Sequence, residues 1–456
     1  MKNFYTASFA LSKNNVIATP LSGGSYNPEL SSRDNPVNIR SPIGNGIATS
    51  RSANMNGTRD DNNTKFVYAK RVAKMADPTI TNTLKLASQP GIISLGGGIP
   101  NPELFPVEFI RETVDRLIKE NSQQVLQYGP TPGLPVLREQ IAKYLTKKWK
   151  KTVKPEQILV TTGSQQALDL VGKAFLDKGD QILVENPTYL AAVLAFNGYE
   201  TNFKILQLNE NGIHPQELHR KINNNIFKFA YFIPTFQNPT GITWSLNVRK
   251  SVIDIANTNG RLIIEDDPYG ELYFEKAPPP SLAALENANS VIYLGTFSKT
   301  FCPGLRVGYL VADEKIIERL ALIKQAMDLH SPSLSQALVA EYLKNQTIYQ
   351  AQMEKIRIFY GKKARFMMNE MKKNFDSRAS WTKPKGGLFT WMTIPRIDSR
   401  VLYQQAVKAG ISFMPGYPFY ANEPDYSTIR LTFATVGEKE MKLALGKLKK
   451  LIITLS

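Results

Sequence analysis

Between residues 158 and 311, six short apolar runs recur with helix-patterned segments between most of them. They are Ile158 to Thr161, Ile182 to Val184, Phe229 to Ile233, Leu262 to Glu265, Val291 to Leu294 and Tyr309 to Val311. Each is rich in β-branched or aromatic residues, as expected for strands covered on both faces. Strands of that kind joined by helices form parallel sheets. One connecting helix is readable directly: Ala167, Leu168, Val171, Ala174 and Phe175 recur at helical spacing after Gly163-Ser164, and Lys178-Gly179-Asp180 stops the pattern. The expected fold class is therefore α/β, a large domain with a mostly parallel sheet flanked by helices. After about residue 330 the pattern changes to a long amphipathic helix (Ser335 to Met371), short strands around Gly387 to Met392 and Ile429 to Phe433, and a terminal basic helix. This reads as a smaller α+β domain.

The expected organisation has four parts. Residues 1–65, rich in Asn, Ser, Gly and Thr without apolar periodicity, read as a disordered or loosely ordered extension. Residues 66–110 form an arm and loop joining the small domain, residues 111–330 the large domain, and residues 331–456 the small C-terminal domain. Lys2 and Lys13 precede the first acid, Glu29, but arginine is absent from the first thirty residues. Organellar targeting is thus the secondary reading and a cytoplasmic location the primary one. The only cysteine, Cys302, allows no intrachain disulfide and suits a reducing compartment. No metal site is expected, and no apolar run is long enough for a bilayer helix. The net charge of +17 would suit a nucleic-acid partner, but no finger spacing or aromatic RNA-binding signature accompanies it. The densest basic run, Lys147-Lys148-Trp149-Lys150-Lys151, reads as a solvated helix terminus.

The chemistry-bearing residues fall just past the strands. Gly295-Thr-Phe-Ser-Lys299 follows an apolar strand, and Arg306 lies seven residues on. A lysine there, beside a second cation, should have a depressed pKa and serve as a nucleophile toward an aldehyde. The hydroxyls of Thr296 and Ser298, with Arg306, suit a phosphate. Ile263-Ile-Glu-Asp-Asp-Pro-Tyr269 ends another strand. A carboxylate buried there needs a cation such as a protonated pyridine nitrogen, and the residue types alone leave Asp266 and Asp267 equivalent. Asn238, before Pro239, is held extended so that its amide can face a ligand. Thr162-Gly163-Ser164-Gln165 leads into a helix whose N-terminus would favour an anion. Tyr189, past a further strand, could stack on a flat ring. Alone, each motif could be an ordinary turn or cap. Together they share one rim, the ligand-binding edge of open α/β sheets.

The combination of Asn238-Pro-Thr-Gly241, Asp266-Asp-Pro-Tyr269, Ser298-Lys299 with Gly304-Leu-Arg306-Val-Gly308, and Arg430 in Ile429-Arg-Leu-Thr-Phe433 resembles the fold-type I pyridoxal 5'-phosphate (PLP) aminotransferases of class I/II, over roughly residues 66–456. It is most similar to the branch holding 2-aminoadipate and kynurenine aminotransferases. The resemblance implies a PLP cofactor held by Lys299 as a Schiff base, with Lys299 also carrying the proton of the reaction. It implies Asp266 at the pyridine nitrogen, Tyr269 and Asn238 at the ring oxygen, and Tyr189 stacked on the ring. Ser164, Gln165, Thr296, Ser298 and Arg306 would bind the phosphate, and Tyr128 would reach the phosphate of a neighbouring subunit in a homodimer. Arg430 would fork onto the substrate carboxylate, with Asn238, Tyr189 and the glycine loop at Gly98 around it. Residues near Arg71 fall in the stretch that varies with the substrate side chain. The implied activity is ping-pong transfer of an amino group from an amino acid to a 2-oxo acid such as 2-oxoglutarate. A lyase or decarboxylase on the same scaffold, or the ligand-sensing domain of a transcription regulator, are the alternatives. Thr296 departs mildly from the serine expected there and keeps the hydroxyl.

Overall fold

The computed structural model describes residues 68–72, 91–224, 227–375 and 377–456. The chain divides into units 1–66 and 67–456, and the second is described below. The expectations for residues 1–65 lie outside the described residues.

The central sheet has eight strands: β1 (Ile158–Thr161), β2 (Gln181–Asn186), β3 (Asn202–Asn209), β4 (Gly212–Ile213), β5 (Phe229–Phe232), β6 (Leu262–Asp267), β7 (Val291–Thr296) and β8 (Gly308–Val311). Their spatial order is β1-β8-β7-β6-β5-β2-β3-β4. Pairings β2 with β3, β2 with β5, β5 with β6 and β6 with β7 are parallel. β8 runs against both β1 and β7. All six expected strands are present, within one or two residues at their ends. Their uniformly buried patterns explain their apolar composition. The sequence reading missed β3, near the sheet's edge. Half-exposed or exposed positions there admit Lys204, Gln207 and Asn209, so no apolar run marks it.

The long helix expected over Ser335 to Met371 is two helices, Ser333–Lys344 and Gln346–Asn374. Asn345 (φ −85°, ψ 83°) breaks them, and its side chain accepts from Ile348 N at 3.1 Å as an N-cap. Apolar spacing continues across Asn345, so periodicity alone does not reveal the break. A four-stranded antiparallel sheet follows, from Ser380–Trp381, Phe389–Thr393, Met414–Pro415 and Thr428–Thr432. Ile93–Ser94 pairs in parallel with Ile411–Ser412, which carries the following glycine loop toward that sheet.

The basic run at 147–151 needs correction. Trp149 is buried, and Lys148 turns inward between Glu271 (2.9 Å) and Asp267 (3.7 Å). Burial opposes its charge, yet the two carboxylates outweigh that and raise its pKa. Among the described residues no helix is long and apolar enough to cross a membrane. Nor do they contain a cluster of three or more His, Cys, Asp or Glu side chains that could hold a metal.

Candidate active site

Because β1, β7, β6, β5 and β2 point the same way, their carboxyl ends share one rim. Thr296 and Asp266 lie at the ends of β7 and β6, and Thr162 to Gln165, Phe297 to Lys299, Asn238 and Tyr189 lie just past the strand ends.

Period two separates the adjacent aspartates. Asp266 shares a face of β6 with Ile264 and accepts from Tyr231 Oη at 2.8 Å. Its Oδ1 is buried with no hydrogen-bond partner among the described residues. Burial pushes its pKa up to about 7. Asp267, on the opposite face, accepts from Tyr293 Oη and Gly270 N, both at 2.8 Å, and lies near Lys148. Of the two, only Asp266 keeps an unused buried oxygen. Tyr231 was not singled out in the sequence; its even spacing from Phe229 in β5 and Ile233 just after it was the available signal.

Lys299 is half-buried, and its Nζ donates to Gly98 O at 2.8 Å. Burial first, then the cations Arg430 and Arg306, lower its pKa to about 8. The depressed value expected for a nucleophilic amine is thus present.

Arg430 sits within the strand Thr428–Thr432, paired across to Trp391 and Met414. Its Nη1 donates to Asn238 Oδ1 at 2.9 Å and its Nη2 to Gly96 O at 2.8 Å. Its Nε is buried without a partner among the described residues. The guanidinium lies 4.1 Å from the Phe389 ring centroid and 4.9 Å from that of Phe419. Burial lowers its pKa to about 10. No acidic side chain forms a salt bridge with it among the described residues. Gly98 is close by for a steric reason: a Cβ there would stand 3.0 Å from Phe389 Cζ and 3.7 Å from Arg430 Nη2. Tyr269 is buried and meets Phe389 edge-on, with centroids 5.8 Å apart. Tyr189 is half-buried at the start of the helix Leu190–Asn197, and burial raises its pKa to about 12.

The turn before Ser164 has Gly163 at φ +80°, where a Cβ would collide with the Arg306 guanidinium. Arg306 Nη2 lies 3.5 Å from Thr162 O, and Thr296 Oγ1 donates to Ser298 Oγ at 3.1 Å. Ser164 opens the helix Ser164–Phe175, with its backbone N–H in the first turn. The Gln165 side chain is directed elsewhere, donating to Ala191 O at 3.2 Å. The next residue, Gln166, was not anticipated and accepts from Thr162 N at 2.8 Å. Tyr128 stands apart, 78% exposed, with its ring edge-on to His330. Arg71 is exposed.

A family model described as aminotransferase class I and II matches residues 91–448. The chain belongs to this family. Among its relatives, the 2-aminoadipate transaminase of Thermus thermophilus is 39% identical over 376 residues, 82% of this chain and 93% of that protein. A solved α-aminoadipate aminotransferase from Thermus thermophilus, complexed with N-(5'-phosphopyridoxyl)-L-leucine, is 38% identical, with TM-score 0.80 over 85% of this chain and 97% of that one. A kynurenine aminotransferase from Pyrococcus horikoshii, solved with PMP, is 37% identical with TM-score 0.81 over the same shares. The aminotransferase class and the fold read from the sequence are both upheld. The aminotransferase therefore carries its rim of strand ends on the scaffold expected for it.

Proposed function

We propose that this aminotransferase moves an amino group from an amino acid to a 2-oxo acid, 2-oxoglutarate being the expected acceptor, in two alternating half-reactions at the rim around Lys299. The cofactor is pyridoxal 5'-phosphate, and three features fit it. Asp266 Oδ1 is a buried carboxylate oxygen that lacks a donor, as a ring N–H requires. The Lys299 amine has a pKa lowered to about 8, suiting it to an aldehyde. The turn at Gly163 faces a guanidinium across a gap that admits no side chain.

One observation carries the reading: the site is incomplete in charge at both ends. Among the described residues, buried Asp266 has no cation beside it and buried Arg430 no anion. Isolated buried charges are costly, so a ligand presenting a cationic ring nitrogen to one and a carboxylate to the other is what the arrangement favours.

When bound, the cofactor supplies an electron sink for the carbanion at the substrate Cα. Asp266 holds the ring nitrogen charged. Asn238 and Tyr269 would donate to the ring oxygen, and Tyr189 would pack on the ring. Ser164, Gln165, Thr296, Ser298 and Arg306 bind the phosphate, Gln165 through its backbone N–H. Arg430 fixes the carboxylate beside Gly98, and Lys299 Nζ accepts and returns the Cα proton. Arg430 reads the group every amino acid shares. The assembly is a homodimer in which Tyr128 of the partner subunit completes the phosphate site; the high exposure of Tyr128 within one subunit supports this. With Cys302 its single cysteine, the enzyme suits the cytoplasm.

The test is a half-reaction. Adding single amino acids to the yellow holoenzyme should convert its absorbance to that of the amine form, with release of the matching 2-oxo acid. Release of ammonia or carbon dioxide instead would mean a lyase or a decarboxylase.

A further inference from the structure

A polar cluster built around one buried lysine lies behind the phosphate turn, made from residues to which no role has been given above. Lys324, whose side chain is fully buried, places Nζ 2.6 Å from Asp328 Oδ1 and 2.8 Å from Oδ2, and donates to Gln166 Oε1 at 3.1 Å. The same Gln166 Oε1 accepts from Thr162 N at 2.8 Å, while its Nε2 donates to Asp328 Oδ2 at 2.7 Å. Thr162 Oγ1 donates to Asp328 Oδ2 at 3.0 Å and lies 3.1 Å from Ser331 Oγ. Both the backbone N–H and the hydroxyl of Thr162 are therefore fixed from one side. From the other side, Arg306 holds Thr162 O. A Cβ at Gly308 would stand 2.8 Å from Gly163 C, so strand β8 closes the third side.

The cluster continues outward. Leu329, which follows Asp328, has φ 61° and ψ −59°, a region costly for a branched side chain. The bend is closed by His330 N donating to Asp328 O at 2.7 Å. It turns the chain so that Ser331 O accepts from Gln336 Nε2 at 2.7 Å, and Gln336 Oε1 in turn accepts from Leu134 N at 2.7 Å. Ser333 Oγ donates to Gln127 O at 3.1 Å. One bonded chain thus runs from the phosphate turn at 162–164 to the loop at 127–134, which carries Tyr128.

We propose that Lys324, Asp328 and Gln166 are positioning residues for the phosphate turn, setting Thr162 to Ser164 in the conformation that receives the cofactor's phosphate and tying that turn to the Tyr128 loop. The inference rests on the cofactor assignment given above. A fully buried ammonium is kept only where it is paired, and this one is spent on a carboxylate whose other contacts all hold the turn. Burial acts to raise the Asp328 pKa, but hydrogen bonds from Lys324 and Gln166 outweigh it, so the carboxylate stays ionised and its bonds stay charge-assisted.

The test compares two aldehydes on cofactor-stripped enzyme: pyridoxal 5'-phosphate and pyridoxal, which lacks only the phosphate. Each condenses with the Lys299 amine with loss of water, and absorbance reports the equilibrium without any turnover. In Asp328→Asn and Lys324→Met, losing one or more charge-assisted hydrogen bonds at the turn should weaken pyridoxal 5'-phosphate about tenfold or more. Pyridoxal affinity should stay within about twofold, because it makes no use of the turn. Asp328→Glu should recover part of the loss. Equal weakening of both aldehydes would mean that the cluster only supports the fold, and an unchanged ratio in well-folded variants would overturn the proposal. Failure of the unsubstituted enzyme to bind either aldehyde would instead sink the cofactor assignment.

Discussion

Replacing Arg430 by Lys keeps a positive charge but removes the fork. In the structure the guanidinium spans Asn238 Oδ1 and Gly96 O with separate nitrogens while Nε stays unbonded. A lysine ammonium could not hold that frame and still give a carboxylate two parallel N–H bonds. Loss of one hydrogen bond to a charged group costs about 1.5–3 kcal/mol. At about 1.4 kcal/mol per factor of ten, KM for the amino donor should rise roughly 10- to 150-fold. The stacking on Phe389 and Phe419 exists without substrate, so its loss lowers stability rather than substrate affinity. The carboxylate is gripped alike in ground and transition states, so kcat should change much less than KM. Cofactor absorbance should be unaltered. Steady-state kinetics across donor concentrations, with a spectrum of each preparation, decide it. A KM within about twofold of the original would refute the assignment of Arg430 to the carboxylate.

Asp266→Asn should separate stability from activity. A carboxyl whose folded pKa is raised binds its proton more tightly folded than unfolded, so stability falls as pH rises from the usual carboxylate range through about 7. Above pH 7 the cofactor-free variant should be more stable than the parent, by on the order of 1–3 kcal/mol in urea melts, while turnover drops about a hundredfold or more. A destabilised variant would contradict the reading of Asp266 as an unpartnered buried charge. Lys148→Met leaves Asp267 without its cation and Glu271 with Arg357 alone; with 27% of the lysine side chain exposed, the loss should be about 2–3 kcal/mol, short of the fully buried case. Near-unchanged denaturation midpoints would show that the inward turn of this lysine contributes nothing. The rate at which cofactor-stripped enzyme condenses with pyridoxal 5'-phosphate should climb with pH and reach half its maximum near 8, as Lys299 loses its proton. An inflection near the ordinary lysine value, above 10, would disprove the depressed pKa.

Much of the site was legible because strand ends are punctuated. Ile158 to Thr161 runs into Gly163-Ser164, and Val291 to Thr296 into Ser298-Lys299, so the residues at these strand tips are legible in the sequence itself. What was not legible depended on direction or on contacts distant in sequence. Asp266 and Asp267 are distinguished by the pleat of β6, which assigns one to Tyr231 and the other to Tyr293 and Lys148. Lys148 looked like part of a solvated basic run because its partner, Glu271, lies over a hundred residues away. Gln165 and Gln166 are the same residue type side by side, and only helix phase puts the second against Thr162. Asn345 capped a new helix without interrupting the apolar period, so one helix was expected where two exist. Strand β3 lay hidden because the two-residue β4 covers only its last positions, so most of its outer side borders solvent and tolerates polar side chains.

The account rests on Lys299 as the amine that holds the cofactor. Holoenzyme reduced with borohydride, digested and analysed by mass spectrometry should carry one phosphopyridoxyl group, on the peptide containing Lys299, and Lys299→Ala should carry none there and show no transamination. A colourless protein without adduct, an adduct on a different lysine, or turnover persisting in Lys299→Ala would contradict it.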